Sequence, residues 1–86
     1  MESRATANFW RLYDNLPKQI QERADKQFEI WVENHAHPSV QFKKIRSVWS
    51  VRVTDDYRVL GIAQGDTIIW FGIGNHDDYE QLLRRV

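Results

Sequence analysis

Between Thr6 and Asn15 apolar side chains return at helical spacing, with Phe9 and Tyr13 followed by Leu16. That pattern predicts a short helix over residues 6–15, with Thr6 at the capping position. Asn15-Leu16-Pro17 interrupts it. Pro17 suits the first turn of a new helix, where its missing N–H would have no partner anyway. The second helix should run to about Asn34, with Ile20, Ala24, Phe28, Trp31 and Val32 forming one apolar stripe. Gln19, Glu22, Arg23, Lys26, Glu29 and Glu33 then occupy the solvent side. His35-Ala-His-Pro-Ser39 ends the helix, because Pro38 disfavours a helical His37.

From Phe42 the period changes to two. Phe42–Arg46, Val48–Thr54, Tyr57–Ile62 and Thr67–Ile73 read as four strands. Asp55-Asp56 and Gln64-Gly65-Asp66 supply tight turns, which imply antiparallel neighbours. Gly72 and Gly74 would let the backbone turn out of the last strand. Asp77–Arg85 reads as a closing helix, with Asp77 and Asp78 at its positive end and Arg84 and Arg85 near its negative end. The predicted class is α+β. An N-terminal α-helical hairpin packs on a twisted four-stranded antiparallel sheet, and a short C-terminal helix follows, all in one domain over residues 1–86.

The hairpin around Asp55-Asp56 has a parity that hydrophobic burial decides. With a two-residue loop Thr54 would face Tyr57, and charge would enter the apolar side. With an odd loop Val53 faces Tyr57, and Trp49, Val51, Val53, Tyr57 and Val59 share one apolar face. A one-residue slip moves every side chain to the other face, so the second register is expected. It sets Arg52 opposite Arg58. Like charges so placed repel unless an anion joins them.

The chain has 12 basic and 12 acidic residues in 86, so its formal charge is zero. The basic ones gather in the middle: Lys43, Lys44, Arg46, Arg52 and Arg58 lie within 41–58, against only Asp55 and Asp56. Such a local patch can steer a polyanion, while overall neutrality argues against tight non-specific nucleic-acid binding. Four Trp, four Phe and three Tyr let a short chain bury a useful core, and all of Trp10, Trp31, Trp49 and Trp70 read as core. The absence of cysteine excludes disulfides and thiolate metal sites and suits a reducing cytosol. No apolar run approaches the roughly 20 residues of a membrane span, and the N-terminus lacks a signal-peptide core. A cytoplasmic protein with no membrane partner is expected.

Five segments, in order, carry a family resemblance: Leu16-Pro17, His37-Pro-Ser-Val-Gln-Phe-Lys-Lys44, Ser50-Val-Arg-Val53, Tyr57-Arg-Val-Leu60 and Gly74-Asn-His-Asp-Asp-Tyr79. The chain resembles the RelE/ParE toxin superfamily of bacterial toxin–antitoxin systems over most of its length. RelE-like members are ribosome-dependent mRNA endonucleases, ParE-like members inhibit DNA gyrase, and both are held inactive by a cognate antitoxin. The resemblance implies that Arg58 matches the arginine placed at the scissile phosphate. Arg52 falls close to a basic position on the preceding strand. Ser50 stands where a lysine often does. His76 takes the loop position of an Arg, or of a His in the YoeB-like branch, and Tyr79 lies near a C-terminal tyrosine. Such nucleases are usually basic, and this chain is neutral.

RNA cleavage by 2′-hydroxyl attack needs a base, an acid and positive charge on the phosphorane. Histidine titrates near neutrality and suits proton transfer, and arginine holds phosphate with paired donors. These roles fall to Arg52 and Arg58 for phosphate, His76 for proton transfer, and Tyr79 for base stacking or assistance. Lys43, Lys44 and Arg46 would contact the RNA backbone. Each has a structural alternative. The arginines can pair with Asp55 or Asp56 at the surface. His76 can serve only the helix start, Tyr79 can pack the last helix, and the lysines can guard a sheet edge. His35 and His37 lack a third ligand, so no metal and no cofactor is expected. Three functions remain open: an mRNA interferase, a gyrase inhibitor, or an inactive member that only binds an antitoxin.

Overall fold

The structure is a computed structural model that describes residues 1–84. In chain order it contains β1 (Glu2–Ala5), α1 (Ala7–Asp14), α2 (Lys18–Glu33) and a 3-10 turn (Pro38–Val40). These are followed by β2 (Lys43–Ile45), β3 (Val48–Arg52), β4 (Tyr57–Gln64), β5 (Thr67–Asn75) and α3 (His76–Arg84). The α+β architecture is as expected, with one strand more. Arg85, assigned to the last helix from the sequence, lies outside the described residues.

The added strand is β1, which runs parallel to β5 at one edge of a sheet ordered β1-β5-β4-β3-β2. All other neighbours are antiparallel. Four residues, two of them charged, give β1 no readable alternation. Its placement comes from β5: the Trp70 indole N–H donates to Ser3 Oγ at 3.0 Å, and the Thr6 N–H donates to the Trp70 carbonyl at 3.0 Å. Thr6 then caps α1, its Oγ1 accepting from the Phe9 N–H at 3.1 Å.

The sheet separates two apolar clusters. On one side Phe9, Ala24, Trp31 and Val40 pack against Val51, Val53, Ile68, Trp70 and Ile73. On the other, Val48, Leu60 and Leu83 pack with Ile45, Phe71, Tyr79 and Leu82. The helical hairpin therefore covers one face and α3 the other. A bulge in the β4–β5 pairing pairs Leu60 with Gly72 but Gly61 with Trp70, leaving Phe71 unpaired. It lets even-numbered Ile68 and Trp70 share a face with odd-numbered Ile73.

Several burial expectations change. Phe28 and Val32 are exposed, at 45% and 53%, and the buried line of α2 is Ala24, Gln27 and Trp31. Gln27 is 4% exposed yet satisfied: its side-chain N–H groups donate to the Ser39 carbonyl at 3.0 Å and the Arg52 carbonyl at 2.9 Å. It thereby ties α2 to the end of β3. Trp10 is half exposed rather than core. Trp31 fills the centre, stacked on His35 and edge-on to Phe42 and Trp70. Gly72 and Gly74 do not turn the chain. A Cβ on Gly72 would meet Leu82, and one on Gly74 would meet Asp78, so both glycines let α3 lie close against β5. Among the described residues no helix is long and apolar enough to cross a membrane.

Candidate active site

The expected hairpin register is present. Arg52 pairs with Arg58 across β3 and β4, and the Val53 N–H donates to the Tyr57 carbonyl at 2.9 Å. Thr54 holds the three-residue loop, its Oγ1 accepting from the N–H groups of Asp56 and Tyr57, each at 3.2 Å. Alternation then sends Ser50, Arg52 and Arg58 to the α3 side of the sheet.

Arg58 is buried at 9% exposure. Its Nε–H donates to Ser50 Oγ, and its Nη2 donates to the Gln41 carbonyl at 3.1 Å. Both partners are neutral, and no carboxylate pairs with Arg58 among the described residues. Burial pushes its guanidinium below the ordinary range, Tyr79 draws it back up, and Arg52 pushes it down. Arg52 is more open and forms an ion pair with Asp55, whose side chain is 89% exposed.

The start of α3 lies on the same side of the sheet. Asn75 Oδ1 accepts from the Asp78 N–H at 2.9 Å, and Asp78 Oδ2 accepts from the Asn75 N–H at 3.3 Å. This reciprocal cap fixes the helix one residue earlier than the sequence suggested, so His76 opens the first turn. Tyr79 is one turn on, its hydroxyl 2.9 Å from His76 Nδ1 and its ring edge-on to the imidazole. With Nδ1 accepting, the neutral imidazole carries its proton on Nε2, which lies 4.0 Å from Glu80. Tyr79 thus holds the exposed His76, while its ring packs with Leu60 and Leu83 on the same side of the sheet.

The three remaining basic positions divide. Lys43 pairs with Ser50 and shares the Arg58 face, whereas Lys44 pairs with Trp49 and faces the other way. Arg46 sits at the β2–β3 turn with φ 58° and donates to the Leu83 carbonyl at 3.4 Å, near the end of α3. His35 and His37 are occupied by the backbone. His35 Nδ1 lies 2.8 Å from the Trp31 carbonyl, and His37 Nδ1 accepts from the Ser39 N–H at 3.1 Å. Among the described residues no three His, Cys, Asp or Glu side chains converge. An apolar cavity of about 230 Å³ lies across the sheet, lined by Phe9, Trp10, Phe28 and Trp31 among others, and takes no part in this cluster.

Two contributors escaped the sequence reading. The Gln41 carbonyl carries no side-chain signal. Ser50 stands where the resemblance leads one to expect a lysine, yet its parity places it on the same face as Arg58.

A model of the ParE-like toxin domain matches residues 18–81, from the start of α2 into α3, and so spans every residue of this cluster. The chain belongs to the ParE-like toxin domain family. Solved structures share its fold. A chain of the RelB–RelE antitoxin–toxin complex of Methanococcus jannaschii superposes with a TM-score of 0.73 at 18% identity, over 92% of this chain and 96% of that one. YafQ of E. coli gives 0.73 at 7% identity, over 91% and 96%. The YoeB/ParE toxin of Agrobacterium tumefaciens gives 0.67 at 14%, over 88% and 99%. No curated protein matches the chain. Family and fold together place this ParE-like chain among the toxins of toxin–antitoxin systems.

Proposed function

We propose that this ParE-like toxin is a ribosome-dependent mRNA interferase that cleaves RNA by 2′-hydroxyl attack. The observation that carries the reading is Arg58, a buried guanidinium with neutral partners, opposite Arg52 and on the side of the sheet that α3 covers. A buried cation without a counter-ion is a receptor for an anion. The two arginines would take the non-bridging oxygens of the scissile phosphate as negative charge grows on the phosphorane.

The proton path follows the hydrogen bonds. His76 gives its Nε2 proton to the leaving 5′-oxygen as the P–O5′ bond breaks. Tyr79 gives its hydroxyl proton to His76 Nδ1, and the phenolate so formed takes the proton of the attacking 2′-hydroxyl. The products are a 2′,3′-cyclic phosphate and a 5′-hydroxyl. Lys43, on the same face, would meet the adjoining RNA backbone. Neither a metal nor a cofactor enters this path. The partner would be a cognate antitoxin, as in the M. jannaschii antitoxin–toxin complex.

Two observations favour a second reading. Arg52 is already paired with Asp55, and His76 is 67% exposed, as a non-catalytic gyrase inhibitor or an inactive antitoxin-binding member would allow. The deciding experiment is translation in a purified ribosomal system, with primer extension on the message. Cuts that need the ribosome and vanish in Arg58→Ala support the interferase. No cuts at high protein concentration, with inhibition of gyrase supercoiling, would establish the alternative.

A further inference from the structure

The side of the Arg58 guanidinium that carries Nε–H and Nη2 is occupied by protein acceptors. Ser50, fully buried on β3, takes Nε–H, and the Gln41 carbonyl takes Nη2. Gln41 follows the 3-10 turn in the left-handed region, at φ 42°, and the carbonyl that Arg58 reaches belongs to this strained residue. A guanidinium has five N–H donors. With this side taken, the end formed by Nη1 and the second Nη2 proton remains for a ligand. Because both acceptors are neutral, and no carboxylate among the described residues pairs with Arg58, they leave its positive charge in place as well. A carboxylate in their place would orient Arg58 and cancel its charge. A lysine in place of Ser50 would add charge but could accept nothing from Nε.

We infer that Ser50 is a positioning residue: with the Gln41 carbonyl it turns the Arg58 guanidinium end-on to a phosphate oxyanion, acting through Arg58 without touching the ligand. The inference deepens the interferase reading and rests on Arg58 being its phosphate site. It makes Ser50 an orienting acceptor rather than a lost cation.

The test is the arginine Nε–H region of the nitrogen-15 spectrum of the full chain, titrated with inorganic phosphate and combined with the ribosomal cleavage assay. In the wild type the Arg58 Nε–H should exchange slowly and shift as phosphate binds. Ser50→Ala should speed that exchange and weaken phosphate binding about tenfold, the scale of one charge-assisted hydrogen bond. Ser50→Thr keeps the hydroxyl and should restore both, which a purely structural role would not require. Arg58→Lys identifies the resonance and the site. If Ser50→Ala binds phosphate and cleaves as the wild type does, the positioning role is overturned and the interferase reading survives. If phosphate binding follows the hydroxyl while the wild type cuts no message, the positioning role stands and the interferase reading falls.

Discussion

Arg52 and Arg58 face each other across β3 and β4, yet among the described residues only Arg52 has a carboxylate partner. The asymmetry follows from depth. Arg52 sits at the hairpin end, within reach of a loop aspartate. Arg58 lies under α3, held by a serine hydroxyl and a backbone carbonyl. The inner arginine keeps an unmet charge, and the outer one is shielded by an exposed acid.

Removing the unmet charge should separate stability from function. Arg58→Ala is expected to lower ribosome-dependent cleavage about 10²–10³-fold, as loss of one oxyanion donor does. Arg58→Met alone strands the buried Ser50 hydroxyl, at about 1 kcal/mol. The double change Ser50→Ala/Arg58→Met removes both side-chain polar groups and leaves only the part-buried Gln41 carbonyl without its donor, and urea unfolding should find it within about 1 kcal/mol of the wild type or more stable, because a buried charge without a counter-ion opposes folding. A double variant less stable by several kcal/mol would mean that Arg58 is structural.

Asp55→Asn should release Arg52. The pair is exposed on the aspartate side, so its loss should change stability by less than about 1 kcal/mol. Phosphate affinity should rise a few-fold at low salt and converge with the wild type at high salt. Unchanged affinity at low salt would place Arg52 outside the phosphate site.

The two glycines under α3 make a contrast. A Cβ on Gly74 would stand 2.5 Å from Asp78 Cβ, a rigid part of the helix cap. Gly74→Ala should therefore lift the first turn of α3, cost about 1–3 kcal/mol, and impair any activity that needs His76 and Tyr79. A Cβ on Gly72 would stand 2.6 Å from Leu82 Cδ1, the far end of a side chain that can rotate. Gly72→Ala should be milder in thermal unfolding and in activity. Equal effects would refute the close approach at the cap.

How much of this was legible follows from where periodicity holds. The register that opposes Arg52 and Arg58 could be read because five apolar residues agree on one face only if the loop is odd. The capping role of Thr6 could be read for the same local reason. Strand β1 could not, because it is short, half charged, and placed by Trp70. Gln27 sits at helical spacing between Ala24 and Trp31, so its burial had a signal that its polarity concealed. The exposure of Phe28, Val32 and Trp10 depends on where the helices leave the sheet, which no single segment encodes. Of the site, the cations and the His76–Tyr79 spacing were visible. The carbonyl of Gln41 was not, because a backbone group carries no residue code.

That carbonyl gives a prediction of its own. If Gln41 contributes only its backbone, Gln41→Gly should keep phosphate binding and relieve the left-handed strain, leaving stability within about 1 kcal/mol of the wild type or higher. Gln41→Val, whose branched side chain resists that region, should lose stability and phosphate affinity together. Loss of binding in the glycine variant with the fold intact would assign a role to the glutamine side chain instead.

Tyr13 supplies a pH signature away from the site. Its hydroxyl donates to Asp25 at 2.7 Å, bridging α1 and α2. Burial first, then that hydrogen bond and the negative charges of Asp25 and Asp14, push its pKa from 10.0 up to about 12. The folded state therefore holds the phenol proton more tightly than the unfolded chain. Below pH 10 both states are protonated and the contribution is complete. As pH rises from 10.0 through about 12 the unfolded chain ionises first, and the contribution is lost. Urea midpoints measured at intervals from pH 9 to 11.5 should show the advantage of the wild type over Tyr13→Phe shrinking across that window. An advantage that stays constant or grows with pH would mean that the Tyr13–Asp25 bridge does not hold the two helices together.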